Sequence, residues 1–370
     1  MTVPTVRAGL AVELPPADRP SVSVIIPAHN EQRVIEACAR GLLAQDYGPL
    51  EVIFVLDRCT DRTQELLDPI AERHASIRIV RNATCPESWA GKCHAAAVGV
   101  GEASGDWLLF TDADTQFDPG LVRAAVAMAD QRGVDLLSLL STLTTANWYE
   151  RIVQPVAGLA LLNLYPMDRV NNPTDSRAFA NGQFMLFRRE MYERIGGHEA
   201  VKDDLLEDIA FARLVNRCGG RGGLLLADGM LVCAMYDSFN AFRTGWKRIF
   251  IESCRRRVKR IRKHAVRMLV TGLLLPAAHM GLIVMGMLCL MNGNVSLGWL
   301  ALVGGILAWV VQTATLAWAY RLGGTPAIAA VTYPIGSWLL VRILFEAASD
   351  LARRAPIRWG GRDYVLEPRT

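Results

Sequence analysis

The segment VSVIIPAHNE, Val22–Glu31, decides the fold. Val22, Val24, Ile25 and Ile26 form a short apolar run with little alternation, as a strand buried on both faces requires, and Pro27 closes it before a polar loop. A helical stretch, Glu31–Gln45, follows. The unit then repeats. Strands are expected at Glu51–Leu56, Ile77–Val80, Trp107–Phe110 and Leu136–Leu140, with helices at Asp61–His74, Gly91–Glu102 and Pro119–Gln131 between them. This alternation predicts an α/β domain built on a mixed, mostly parallel sheet. Beyond Thr142 the rhythm lengthens as far as about Tyr236, with strands expected at Ala178–Arg188 and Leu224–Val232.

Working outward, the 370 residues are 51% hydrophobic and 21% charged, more apolar than one domain of this kind needs. The surplus lies at the C-terminal end. Met268–Met291, Val295–Tyr320 and Leu322–Val341 carry no residue charged at neutral pH, and each is long enough for a bilayer crossing of roughly 20 residues. Pro326 and Pro334 interrupt the last run, which predicts a bend at Pro334 and a return to the face of entry. Ahead of these runs, Ser238–Lys263 mixes Phe239, Phe242, Trp246, Ile249, Phe250 and Ile251 with ten Lys and Arg between Arg243 and Lys263. That pattern suits helices lying among lipid headgroups, and the cations place them on the cytoplasmic leaflet. A membrane segment follows at once, so nucleic acid is not the expected partner. The first 20 residues lack the basic start and apolar run of a secretory signal, and the eight cysteines contain no CxxC pair. Both features point to a reducing cytoplasm and away from zinc.

In open parallel sheets, ligands bind at the carboxyl ends of the strands. There the chain places Pro27-Ala28-His29-Asn30-Glu31, then Asp57-Arg58-Cys59-Thr60-Asp61, then Thr111-Asp112-Ala113-Asp114. Carboxylates gathered on one rim repel, and a hard divalent ion with phosphate oxygens relieves that repulsion. Asp112 and Asp114 fit this best, with helix capping as the alternative; Asp61 reads first as a cap. No GxGxxG, P-loop, HExxH or GxSxG occurs.

In order and spacing, VSVIIPAHNE, VLDRCTDRT, WAGKCHA, WLLFTDADT and LLEDIAFARLV, spread over Val22 to Val215, resemble the family 2 inverting glycosyltransferases. The resemblance is to bacterial membrane-bound members, similar to hopanoid- or carotenoid-associated glycosyltransferases and ceramide glucosyltransferases. It implies a GT-A nucleotide-diphospho-sugar transferase domain followed by a C-terminal α-helical membrane region. It further implies a donor site at Pro27, Ala28, Asn30, Glu31, Asp57, Lys92, Asp112 and Asp114, with Asp57 on the base, Lys92 near the diphosphate and Asp114 on Mg²⁺ or Mn²⁺. Leu56 stands where the family carries a first acid, which leaves the base open, although a UDP-sugar is favoured. Asp208 of the Glu207-Asp208 pair would be the general base. Gly182, Gln183, Glu207 and Trp246 would lie on the sugar or acceptor side, and Trp246 is the clear match to the QxxRW of processive synthases. Simpler readings stay open: Lys92 as a solvated lysine, Asp208 as a helix-opening residue, Gln183 as a strand-edge amide.

The expected partition is an extension at 1–20, the GT-A domain at 21–236, basic amphipathic interfacial helices at 237–265, a transmembrane region of two to three spans at 266–348 and a basic tail at 349–370. The tail contains Arg358–Tyr364, similar to a signature of lipid glycosyltransferases. The expected function is transfer of one sugar to a hydroxyl or carboxyl of a lipid-like acceptor at the bacterial cytoplasmic (inner) membrane, with the catalytic domain in the cytoplasm. A processive polysaccharide synthase and a non-catalytic nucleotide-sugar-binding membrane protein are the alternatives.

Overall fold

The computed structural model describes residues 3–15, 19–359 and 362–369, so Gly360 and Gly361 of the tail signature lie outside the described residues. Two compact units form, Met1–Thr142 with Tyr165–Met235 and Leu143–Leu164 with Tyr236–Thr370. This differs from the expected partition. Residues 143–164 join the helical unit, and the N-terminal extension belongs to the first. Its 3-10 turn Val6–Ala11 packs so closely on the domain that a Cβ at Gly9 would lie 2.2 Å from the Ala124 carbonyl oxygen.

In the first unit, β1 (Val22–Ala28), α1 (Ile35–Leu43), β2 (Leu50–Asp57), α2 (Thr63–Ala71), β3 (Ile77–Asn82), α3 (Gly91–Gly101) and β4 (Trp107–Phe110) alternate as the sequence predicts. β5 (Thr115–Phe117), α4 (Leu121–Arg132), β6 (Leu136–Leu140) and β7 (Thr142–Leu143) follow. The helical unit then takes α5 (Trp148–Ile152) and α6 (Gln154–Leu164), and the chain returns as α7 (Met167–Val170), β8 (Met185–Arg188), α8 (Arg189–Arg194), α9 (Glu207–Arg217), β9 (Gly222–Leu226) and β10 (Leu231–Cys233). The main sheet runs β3-β2-β1-β4-β8-β6-β9, and a smaller one runs β5-β10-β7. β1 pairs in parallel with both β2 and β4, which makes it an interior strand and explains its burial at every residue but Pro27. Gly99 lets α3 close onto that strand: a Cβ there would lie 2.6 Å from Ile25.

Two strands are shorter than the sequence predicts. Of Ala178–Arg188 only Met185–Arg188 is strand, antiparallel to both β4 and β6. The preceding residues leave the ladder because the Asn181 N–H donates to Ser138 Oγ (2.8 Å) and the Asn181 amide to the Leu139 carbonyl (3.0 Å). Leu224–Val232 divides into β9 and β10 at Asp228-Gly229, both left-handed (φ 51° and 79°), a pair that favours turns.

The second unit continues with α10 (Phe239–Ser253), α11 (Val258–Leu269), α12 (Leu275–Met291), α13 (Val295–Leu322), α14 (Tyr333–Ala352) and the hairpin β11 (Pro356–Trp359) and β12 (Arg362–Val365). A π-helical turn, Val270–Leu274, joins α11 to α12, so the basic helix and the first apolar run are one helix, Val258–Met291, with no break at residue 265. Among the described residues, this helix, Val295–Leu322 and Ala327–Ala352 are long and apolar enough to cross a membrane. α12 and α13 form a hairpin whose register is fixed by glycine. A Cβ at Gly286 would lie 2.5 Å from the Leu302 amide nitrogen, and one at Gly305 would lie 2.9 Å from the His279 carbonyl oxygen. Close approach of this kind is how helices associate where the surroundings are as apolar as their side chains.

Lower in the hairpin, Gln312 Nε2 donates to the Thr271 carbonyl (3.3 Å), and ten further residues, ~15 Å of helix, return α13 to the level of α11. The third apolar segment then enters from that side. Its Ser337 meets Gly272, only four residues, ~6 Å, past Met268. From there α14 runs back along α11 and α10 rather than along α12. Its far end is tied to α10 by Arg243–Glu346 and Lys247–Asp350, both 2.6 Å. Pro334 occupies the first turn of α14, where proline is tolerated, directly after the 3-10 segment Ala327–Thr332. The change of helix type thus falls where a bend was expected. Through Glu346 and Asp350 the C-terminal half of α14 lies against the basic helix α10, the arrangement that a re-entrant segment would need.

This register has a direct test. Single cysteines at Asn292, between α12 and α13, and at Glu367, in the tail, introduced into a cysteine-free background, are expected to react with an impermeant thiol reagent from opposite faces of the membrane. Labelling of both from the same face means three complete crossings.

Candidate active site

β2 and β3 end on the buried residues Asp57 and Asn82, and the turn after β4 carries Asp112 and Asp114. The loop after β1 is fixed by its neighbour. Asn30, held left-handed (φ 60°), uses its side-chain oxygen to accept the Thr60 N–H (2.8 Å), and the Glu31 N–H donates to Thr63 Oγ1 (2.8 Å). Ala28 accepts from the Cys59 thiol through its carbonyl, and Pro27 stays within the β1 register opposite Val55. Asp61 accepts from the Thr63 N–H (3.0 Å) and hydroxyl, a turn just ahead of α2, whose N-cap residue is Arg62 and not the Asp61 expected.

The centre of the rim is Lys92, in the first turn of α3. Its Nζ lies 2.7 Å from Asp112 Oδ1 and 2.8 Å from Glu207 Oε1. Burial works against this ammonium, but the two carboxylates outweigh it and hold the lysine charged; burial likewise opposes the Glu207 charge, and Lys92 holds it ionised. Lys92 is therefore no solvated surface lysine. Glu207 and Asp208 open α9 without a side-chain cap from Leu206. Asp208 Oδ1 accepts the Ile209 N–H (2.7 Å) and Oδ2 accepts the Gly182 N–H (2.9 Å), so both helix opening and site placement apply to it. Burial, and next the Glu207 charge, push its carboxyl up to about 7. Gly182 lies over the cluster: a Cβ there would lie 3.1 Å from Lys92 Nζ, 3.4 Å from Glu207 Oε1 and 3.5 Å from Asp208 Oδ2.

On the other side of Lys92, Asp114 is pushed up to about 7 by burial and then by Asp112 and Glu31. Glu31 is itself raised by burial, Asp112 and Asp61. One Asp114 oxygen, Oδ1, is buried without a protein hydrogen bond. Among the described residues no three His, Cys, Asp or Glu side chains gather closely enough to hold a metal alone. Mg²⁺ and Mn²⁺ do not require that, since one or two carboxylates together with substrate phosphates satisfy them, and an orphaned, repelled carboxylate oxygen fits such an ion.

Gln183 is otherwise employed. Its Nε2 donates to Cys233 Sγ (3.0 Å), its Oε1 accepts from Ser141 and Asn181, and its carbonyl takes the Thr111 hydroxyl (2.7 Å), the bonding of a strand-edge amide. Trp246 belongs to the second unit, where it packs between Phe242 and Phe250. Asn82, which the sequence did not single out, and Arg58, placed there without a role, complete the rim. Asn82 Nδ2 donates to Asp57 Oδ1 (2.9 Å), and Arg58 forks over the Asp57 carboxylate. Asn82 ends β3, so the strand-end rule would have found it had it been applied to the third strand. Behind the cluster His198, pushed down to about 3 by burial, stays neutral against Phe110, Phe211 and the Tyr192 hydroxyl.

Residues 23–196 match the family described as Glycosyl transferase family 2. Among curated proteins, the chain is 24% identical to a 4,4'-diaponeurosporenoate glycosyltransferase of Staphylococcus haemolyticus over 61% of this chain and 60% of that protein. It is 25% identical to a beta-monoglucosyldiacylglycerol synthase of Nostoc over 52% of this chain and 41% of that protein. The chain thus spans about two fifths to three fifths of the length of these relatives. Among solved structures, the mannosyltransferase PcManGT from Pyrobaculum calidifontis, determined in complex with GDP-Man and Mn2+, superposes with a TM-score of 0.50 at 22% identity, covering 94% of this chain and 92% of that one. That likeness is one of fold. Residues 23–196, a little under half of the chain, are thus similar to glycosyl transferase family 2.

Proposed function

We propose that this chain is an inverting glycosyltransferase moving one sugar from a nucleotide-diphosphate donor to a hydroxyl or carboxyl of a lipid-like acceptor. The observation that carries the reading is the Lys92–Asp112–Glu207 cluster with Asp208 beside it. A cation suited to phosphate and a carboxylate whose pKa suits a general base stand on one rim, joined through Gly182. The acceptor oxygen attacks the anomeric carbon as the bond from that carbon to the diphosphate oxygen breaks. The electron pair leaves with the nucleoside diphosphate, and Asp208 takes the acceptor's proton. Attack from the face opposite the leaving group inverts the carbon. Asp114 would hold a divalent ion, Mg²⁺ or Mn²⁺, which when bound offsets diphosphate charge, and Asp112 would lie near the ribose or donor sugar.

The lipid acceptor is supported by the relatives named for diaponeurosporenoate and diacylglycerol and by the apolar helices of the second unit. The cations of α10 and α11 favour the cytoplasmic face of a bacterial inner membrane. A single transfer is favoured over processive synthesis, because Trp246 alone matches QxxRW and Arg243 is engaged with Glu346.

Asp208→Asn is expected to lower turnover at least ~10²-fold while nucleotide affinity changes little. Turnover above about a third of wild type in a single-turnover assay removes Asp208 from the chemistry. With donor and metal saturating, turnover is expected to rise with pH through about 7, since Asp208 accepts a proton only when ionised and its protonated form dominates below that value. A profile flat between pH 5.5 and 8 contradicts the assignment. Asp114→Ala is expected to weaken donor binding in the presence of Mg²⁺ or Mn²⁺ but not in chelator. Calorimetry giving wild-type protein the same donor affinity with and without metal excludes the shared ion.

A further inference from the structure

Asp57 is the carboxylate expected on the nucleotide base, yet in the structure it is already engaged. Its Oδ1 accepts from Asn82 Nδ2 (2.9 Å) and Arg58 Nε (3.0 Å), and its Oδ2 accepts from Arg58 Nη2 (2.6 Å). A carboxylate oxygen accommodates two donors in its plane. Oδ1 is therefore full, and Oδ2 has room for one more.

The fork is held from several directions. Arg58 sits in the left-handed region (φ 49°), and its N–H donates to the Asn82 carbonyl (2.8 Å), so its side chain rises next to that of Asp57. On the opposite side stands the first residue of α3. A Cβ at Gly91 would lie 2.7 Å from Arg58 Nη2 and 3.2 Å from Asp57 Oδ2, so the pair packs against a helix start that has no side chain. Lys92, the phosphate-facing cation, is the next residue. The Asp57 side chain is 5% exposed and that of Arg58 is 25%, so Arg58 is the member of the pair that meets an incoming ligand.

Bases differ in what they ask of such a pair. Guanine shows two adjacent donors, N1–H and the 2-amino group, which a carboxylate accepts in parallel only if both oxygens are open. Uracil shows one imide N–H between two carbonyl oxygens. One remaining place on Oδ2 beside a guanidinium matches that second pattern: a single acceptor flanked by positive charge. Resting on the reading of this rim as a nucleotide-diphosphate site, we propose that Arg58 is the residue that sets base preference, favouring uracil over guanine by filling one oxygen of Asp57. The missing first acid, replaced by Leu56, leaves Asp57 and its arginine as the acidic determinant at this strand end.

The test is equilibrium binding of UDP and GDP to the full chain in detergent with Mg²⁺, for wild type, Arg58→Ala and Arg58→Lys. Wild type is expected to bind UDP at least about tenfold tighter than GDP, the scale on which one well-placed base contact discriminates. Arg58→Ala opens both oxygens and is expected to reduce that ratio at least about tenfold, with GDP binding tightening. Arg58→Lys keeps the charge but cannot fork, moves the ratio the same way, and decides the matter if the alanine variant does not fold. Wild type binding GDP as tightly as UDP overturns the proposal, as does an unchanged ratio in the folded variants. If wild type binds neither nucleotide, the donor-site reading itself fails, an outcome distinct from loss of preference alone.

Discussion

The site depends on one ammonium group among carboxylates. Glu31, Asp112, Asp114, Glu207 and Asp208 reach one region from three parts of the chain, and Lys92 is the cation bonded to two of them. At a separation of 4 Å and an effective dielectric of about 20, each like-charge pair costs about 4 kcal/mol, so these elements could not converge fully ionised without it. One lysine does not balance five acids. Asp114 and Asp208 carry the strain, their carboxyls pushed up to about 7 by burial first and then by the neighbouring carboxylates. Under the proposed function, further positive charge would enter on the Asp114 side and a proton on the Asp208 side.

Small residues set the spacing of this arrangement. Gly182 brings a backbone N–H to Asp208 because no side chain intervenes, and Gly91 leaves room for the Asp57–Arg58 pair, which a Cβ there would crowd. The loop bearing Gly182 keeps its place through Asn181 and Gln183, whose side chains bond to the sheet and to Cys233. The polar groups of this segment are therefore divided between support and chemistry, and those of Gln183 serve as support.

The parallel half of the sheet was legible because β1, β2 and β4 are buried on both faces and so carry unbroken apolar runs. β8 was overestimated, since apolar Phe179 and Ala180 are buried and Ala178 half-buried in a loop, and burial alone does not distinguish loop from strand. The acidic positions could be read from strand ends and from the resemblance. The fork of Arg58 over Asp57 could not: a basic residue beside an acid in sequence more often points elsewhere, and its direction here follows from a left-handed backbone. Continuity of α11 with α12 was hidden for a similar reason, because the change from cations to apolar residues at Met268 is a change of solvent and not of secondary structure.

That continuity makes Val258–Met291 a rod of 34 residues, ~51 Å long, against a hydrocarbon layer of ~30 Å. Were it to cross such a layer upright, some 20 Å would stand outside, and the exposed cations Lys259, Arg260, Arg262, Lys263 and Arg267 lie at that end. The apolar part, Met268–Met291, is ~36 Å long, so it would carry ~6 Å of margin before Arg267, next to the apolar boundary, met hydrocarbon, where an arginine is costly. A thinner layer would be met by tilt and a thicker one would use up that margin, so covalent length would set a working range of membrane thickness for the rod.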